Sequence, residues 1–173
     1  GIPKGKVYDY YVNGKKQWEG YLLSDYPIDI QDSTSVFYNN NNNTSISQIS
    51  NWRNGELEGL SVHNDSIGLK LLELNFSKGH FASISYSNLS KTNFNAFIDI
   101  IDNYTIKEST SIYKAILDND FFLENPILKT ILLNLISENY YYLPDYNLSK
   151  KYQILSFNSL SNKMKIESGL YID

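Results

Sequence analysis

Two Asn-Gly dipeptides, Asn13-Gly14 and Asn54-Gly55, each stand between short runs of β-forming residues. Asn-Gly most readily supplies the two positive φ angles of a type I′ turn, so this punctuation folds a chain back on itself into antiparallel hairpins. Val7-Tyr8-Asp9-Tyr10-Tyr11-Val12 leads into the first turn, and Trp18, Tyr21, Leu22 and Leu23 populate the return. Ser24 to Thr34, with Asp25, Pro27, Asp29 and Asp32, reads as a longer connection. The pattern resumes with Ser35-Val36-Phe37-Tyr38, a loop at Asn39 to Asn43, and a strand over Ser45 to Arg53. After Asn54-Gly55, Leu60-Ser61-Val62 goes back, Asn64-Asp65-Ser66 turns, and Ile67 to Phe76 returns. Ser77-Lys78-Gly79 then turns into His80 to Tyr86. The first half predicts a β-meander.

Self-comparison predicts a repeat. Asn51-Trp52-Arg53-Asn54-Gly55 matches Asn75-Phe76-Ser77-Lys78-Gly79 twenty-four positions on (75 − 51 = 24), and Tyr38 and Val62 share that offset. Periods of about 20–50 residues mark stacked units, each too small to bury its own apolar face. Leu69 and Leu71 occupy one alternation phase and Leu72, Leu74 and Phe76 the other, the slip a β-bulge produces.

Tyr10-Tyr11-Val12-Asn13-Gly14-Lys15-Lys16-Gln17-Trp18-Glu19-Gly20-Tyr21 resembles the bacterial variant of the MORN repeat: an aromatic pair, x-Asn-Gly-Lys, a short strand, then Glu-Gly. Asn51-Trp52-Arg53-Asn54-Gly55-Glu56-Leu57-Glu58-Gly59-Leu60 is similar to the alternating half of that unit. The resemblance covers about Lys6 to Phe81. Ser24 to Thr34 departs from it by lacking an Asn-Gly turn, and Asn39 to Asn43 replaces another. The resemblance implies an antitoxin-like component that interacts with a partner rather than performing chemistry.

After Tyr86 the period changes. Phe94, Phe97, Ile98 and Ile101 follow the spacing of an amphipathic helix. Ile112, Ala115 and Ile116 predict a second, with Ser109, Thr110 and Ser111 as cap candidates. Asn125-Pro126 is a helix start, and Ile127, Leu128, Ile131, Leu132, Leu135 and Ile136 make that helix strongly apolar up to Tyr140-Tyr141-Tyr142-Leu143-Pro144. Tyr152 to Phe157 and Met164 to Ile172 read as short closing strands. The expected fold class is α+β: an antiparallel β-meander of MORN-like hairpins over residues 1–90, then a helical segment with closing strands over 91–173, the two packed as one body.

Composition narrows the function. The 173 residues contain no cysteine, which excludes disulfides, thiolate zinc sites and cysteine nucleophiles. A net charge of −4 lacks the positive field that attracts nucleic acid. No apolar run approaches the ~20 residues of a membrane helix. Gly1-Ile2-Pro3 opens without the charged and apolar regions of a signal peptide, so a processed exported chain and a cytoplasmic one both fit.

No residue set predicts catalysis, a cofactor or a metal. His63 and His80 fall short of the three or four ligands zinc takes. There is no Gly-x-Ser-x-Gly elbow, and Glu56 and Glu58 flank a turn as solvated charges. Asp118-Asn119-Asp120 opens like a calcium loop but lacks its glycine and distal glutamate. Tyr8, Tyr10, Trp18, Tyr38 and Trp52 are the binding candidates: aromatic residues on strands either stabilise the sheet by cross-strand pairing or present a recognition surface. The leading expectation is a non-enzymatic module that binds another protein, as an antitoxin or immunity-type partner. A glycan- or small-molecule-binding sheet is the alternative, and polar groups converging near Asp99, Asp102 or Glu138 would instead mark an enzyme.

Overall fold

A computed structural model of the chain describes residues 4–24, 30–40, 45–119 and 121–160. The chain divides into two compact units, Gly1–Asn88 and Leu89–Asp173.

The first unit is a seven-stranded antiparallel meander: β1 (Gly5–Tyr10), β2 (Lys16–Ser24), β3 (Ile30–Tyr38), β4 (Ile46–Arg53), β5 (Glu56–Asn64), β6 (Lys70–Ser77) and β7 (His80–Ser87). Strand order in the sheet is strand order in the chain. The fold class is therefore the α+β meander that the turn signals predict. Among the described residues the turns are of two kinds. Asn54 and Gly55 stand at φ of +51° and +85°, and Lys78 and Gly79 at +50° and +77°, the two left-handed residues of a type I′ turn. Asn13-Gly14 differs. The Tyr11 N–H donates to the Lys15 carbonyl (2.8 Å) and the Gly14 N–H to the Tyr11 carbonyl (2.8 Å), enclosing a three-residue loop in which only Gly14 has a positive φ. The Asn13 Oδ1 accepts the Lys15 N–H at 3.1 Å within the loop, while its Nδ2 donates to Asn40 Oδ1 at 2.7 Å. Asp65 to Leu69 repeats this three-residue geometry.

Three strand expectations are corrected. Ile30 to Thr34 already belongs to β3 rather than to a connection, with residues 25–29 outside the described set. Ile67 and Leu69 lie in the exposed loop before β6, not within it. Tyr38 corresponds to Asn64 rather than to Val62, since Tyr38 and Asn64 each form the last pair beyond a register shift. The shift at Asn64 leaves Leu71 as the extra residue, which is the bulge that the leucine phase slip predicts.

The turns tie one hairpin to the next. The Asn54 N–H donates to Asp32 Oδ1 (3.1 Å) and the Gly55 N–H to the Gln31 carbonyl (2.7 Å). One hairpin later, the Lys78 N–H donates to Glu58 Oε2 (2.8 Å) and the Gly79 N–H to the Leu57 carbonyl (2.9 Å). Each type I′ turn thus leans on the strand before its own hairpin, satisfying donors that a free turn leaves to water.

Among the described residues the second unit holds five helices: α1 (Phe94–Ile101), α2 (Ile106–Leu117), α3 (Phe121–Glu124), α4 (Pro126–Tyr142) and α5 (Tyr146–Asn158). Helix α2 starts earlier than Ser109: Thr105 caps it by accepting the Glu108 N–H at 3.3 Å. Ser109, Thr110 and Ser111 lie inside the helix, with Thr110 and Ser111 bonding back to the carbonyls four residues earlier. Tyr152 to Phe157 is helix, not strand. Asp145 caps α5 by accepting the Leu148 N–H (3.1 Å), and the buried side is Ser149, Tyr152 and Ser156. Those serines face Thr130 and Ser137 of α4: Ser137 Oγ donates to the Ser149 carbonyl (2.9 Å) and Ser156 Oγ to the Thr130 carbonyl (3.3 Å). A seam built on hydroxyls leaves no apolar helical period for sequence reading to find. Met164 to Ile172 lies outside the described residues.

Candidate functional site

Side chains directly opposite one another in a sheet share a face, and alternate residues of a strand share it too. The register therefore sorts the sheet into a tryptophan face and a tyrosine face. Across the tryptophan face one row runs Asp9, Trp18, Phe37, Gln48, His63, Leu72. The adjacent row carries small residues: Ser35, Ser50 and Ser61 stand in register, all fully buried, and continue into Leu74. Gly20 extends this row beside Ser35. A Cβ at Gly20 would lie 2.3 Å from Cζ2 of Trp18 and 2.7 Å from Oγ of Ser35. The indole therefore occupies the space that any other residue there would fill. Beyond the small row come Leu22, Trp52 and Phe76.

At the β1–β3 end this face opens into a depression of about 450 Å³, lined among others by Val7, Asp9, Trp18, Leu22, Gln31 and Phe37. All six belong to the tryptophan face. Trp18 and Phe37 form its aromatic wall, ring centroids 6.3 Å apart and tilted by 51°. Asp9, Gln17 and Gln31 add a carboxylate and two amides. An apolar wall with a few polar groups converging on it is the usual makeup of a binding site. The indole Nε1 atoms of Trp18 and Trp52 are buried without a hydrogen-bond partner, so packing alone holds both rings.

Beside the depression runs a buried polar chain. Gln48 Nε2 donates to Ser50 Oγ (2.7 Å), Ser50 and Ser61 share a hydrogen bond of 2.7 Å, and Ser61 Oγ lies 3.3 Å from His63 Nε2. Burial pushes His63 down to about 4, so it is neutral at pH 7. A Ser–His contact evokes hydrolase chemistry, but the Ser61 hydroxyl is sealed from solvent and reaches no substrate. The chain satisfies polar groups inside the sheet.

The opposite face carries a different cluster. Glu19 accepts the Tyr38 hydroxyl at 2.6 Å and pairs with Lys16 at 3.2 Å and Lys6 at 3.5 Å. The Lys16 ammonium also sits 4.8 Å from the Tyr8 ring and 5.6 Å from the Tyr38 ring. The Tyr38 hydroxyl, with Lys16 and then Lys6, holds the Glu19 carboxyl below the ordinary range. Burial, then Glu19, lifts Tyr38 to about 12.

The five aromatic candidates consequently do not make one surface. Trp18 and Trp52 lie on one face, separated by the small-residue row; Tyr8 and Tyr38 lie on the other; Tyr10 is exposed at the end of β1. Of the five, Trp18 and Tyr8 line the depression, although the register assigns Tyr8 to the opposite face. Sequence reasoning missed Asp9, Gln17, Gln31 and Phe37, and the small residues beneath them. A signal existed: Trp18-x-Gly20, Ser35-x-Phe37 and Ser50-x-Trp52 each place a small residue two positions from an aromatic, on the same face.

The remaining candidates lie apart. His63 is buried near one end of β5, whereas His80 opens β7 at the other end of the sheet, and no group of three potential metal ligands occurs among the described residues. Glu58 serves the Lys78 turn, and Asp102 accepts the Tyr113 hydroxyl at 2.5 Å. No helix among the described residues is long and apolar enough to cross a membrane. No protein-family model, curated protein or solved structure matches the chain.

Proposed function

We propose that the chain is a non-enzymatic binding module of MORN-variant type that engages another protein through the Trp18–Phe37 depression. The observation that supports this most is the depression itself: an open aromatic wall beside a carboxylate and two amides, on a sheet whose neighbouring hydroxyls are buried. Buried aromatic anchors ringed by polar groups dominate protein recognition, and Trp contributes most per residue. An antitoxin-like or immunity-type role accords with the repeat resemblance. The test is native affinity capture with wild type, Trp18→Ala and the exposed-site variant Asp9→Lys. A stoichiometric protein held by wild type and lost from both variants is the expected result. Capture of the same proteins by all three baits overturns the proposal. So does selective sugar binding on a glycan array that Trp18→Ala abolishes, which would assign the depression to a saccharide.

A further inference from the structure

We infer that the partner is held as an extended peptide strand added to the free edge of β1, with a lysine or arginine facing Asp9. This rests on the reading of the depression as a protein site and specifies what enters it. Among the described residues, strand β1 is the margin of the sheet, paired with β2 on one side only. An edge strand directs the N–H and C=O groups of alternate residues outward, and a peptide can complete that ladder. The two margins differ. From Lys6 to Asp9 the register with β2 is unbroken, whereas β7 pairs with β6 through two register shifts. A regular edge presents an evenly spaced ladder, and a bulged one does not.

The edge and the depression are continuous. Val7 and Asp9 both line the depression, standing opposite Gly20 and Trp18. A strand added beyond β1 extends the same rows, placing one of its side chains beside Asp9 and another, two residues away, beside Val7. Cross-strand neighbours stand about 4.5–5.5 Å apart at Cβ, within reach of direct pairing. Asp9 is exposed, and one of its carboxylate oxygens accepts the Tyr10 N–H at 2.8 Å, leaving further acceptor capacity on the carboxylate. A cation is its complement, and an apolar side chain is that of Val7. On the opposite face the same strand would meet Lys6 and Tyr8, which favour an acidic residue at the alternate position. The occupant is an extended segment reading basic-x-apolar or apolar-x-basic, according to its direction, with an acid between.

The experiment pans a displayed random dodecapeptide library against the full chain and follows the selected peptides by NMR. Enriched sequences are expected to carry Lys or Arg two residues from an apolar one. On binding, alternate amides of Gly5–Tyr10 should exchange at least tenfold more slowly, and the Trp18 indole N–H signal should shift. Asp9→Lys should weaken the selected basic peptides at least tenfold and, in a fresh selection, enrich acidic ones; Asp9→Asn should weaken them without that reversal. Peptides that shift Trp18 but leave β1 exchange unchanged overturn the edge inference while sparing the depression. Protection of β1 without peptide, rising with protein concentration, assigns the edge to a second copy and also overturns it. A selection that enriches nothing counts against both readings.

Discussion

At the scale of single residues, Gly20 is the position where sequence and site meet most closely. Any side chain there collides with Trp18 and Ser35. Gly20→Ala should cost about 1–3 kcal/mol, the range for overpacking a filled site, and should change the Trp18 fluorescence; urea unfolding and emission spectra check both. His63 sets a pH dependence. Its folded value near 4 lies below the ordinary 6.5, so between those values the unfolded chain binds the extra proton. Its contribution is complete above pH 6.5 and is lost as pH falls toward 4, by up to ~3 kcal/mol from the size of that shift. Melting temperature measured across that window should fall more steeply for the wild type than for His63→Gln. A parallel decline in the two proteins would remove His63 from the account.

At the scale of elements, turn chemistry was the most legible feature and hydroxyl-built packing the least. Asn54-Gly55 forms the type I′ turn its residues call for, whereas Lys78 occupies a left-handed position without the residue type that suits it. Lys78→Asn should therefore raise stability by roughly 0.5–1 kcal/mol, since Asn tolerates that conformation better and the N–H bond to Glu58 is made by the backbone. Chemical denaturation measures it. Thr105→Ala should destabilise the helical unit by about 1 kcal/mol through loss of the α2 cap, seen as a lower helical CD midpoint. That cap escaped notice because Ser109-Thr110-Ser111 offered three nearer candidates, though Thr105-x-x-Glu108 is the stronger signature. Helix α5 escaped because its buried side is Ser149, Tyr152 and Ser156, while Ile154 and Leu155 are exposed. An apolar period marks a helix only when the buried face is apolar.

At the scale of the whole molecule, each described strand of the first unit pairs, among the described residues, only with its neighbours in sequence, so its order follows from turns alone. That is why the meander was readable while its faces were not. Local alternation shows that two faces exist, but bulges such as that at Leu71 decide which residues share one. Trp18 and Tyr8, alike in the sequence as aromatic strand residues, consequently look in opposite directions. The most direct test of the account is a pair of photo-crosslinks in the full chain, with p-benzoylphenylalanine replacing either Gln31 on the tryptophan face or Tyr21 on the other. Adducts to one protein partner from position 31 and none from position 21 are predicted. Equal labelling from both, or labelling from position 21 alone, would contradict the assignment of binding to the Trp18–Phe37 depression.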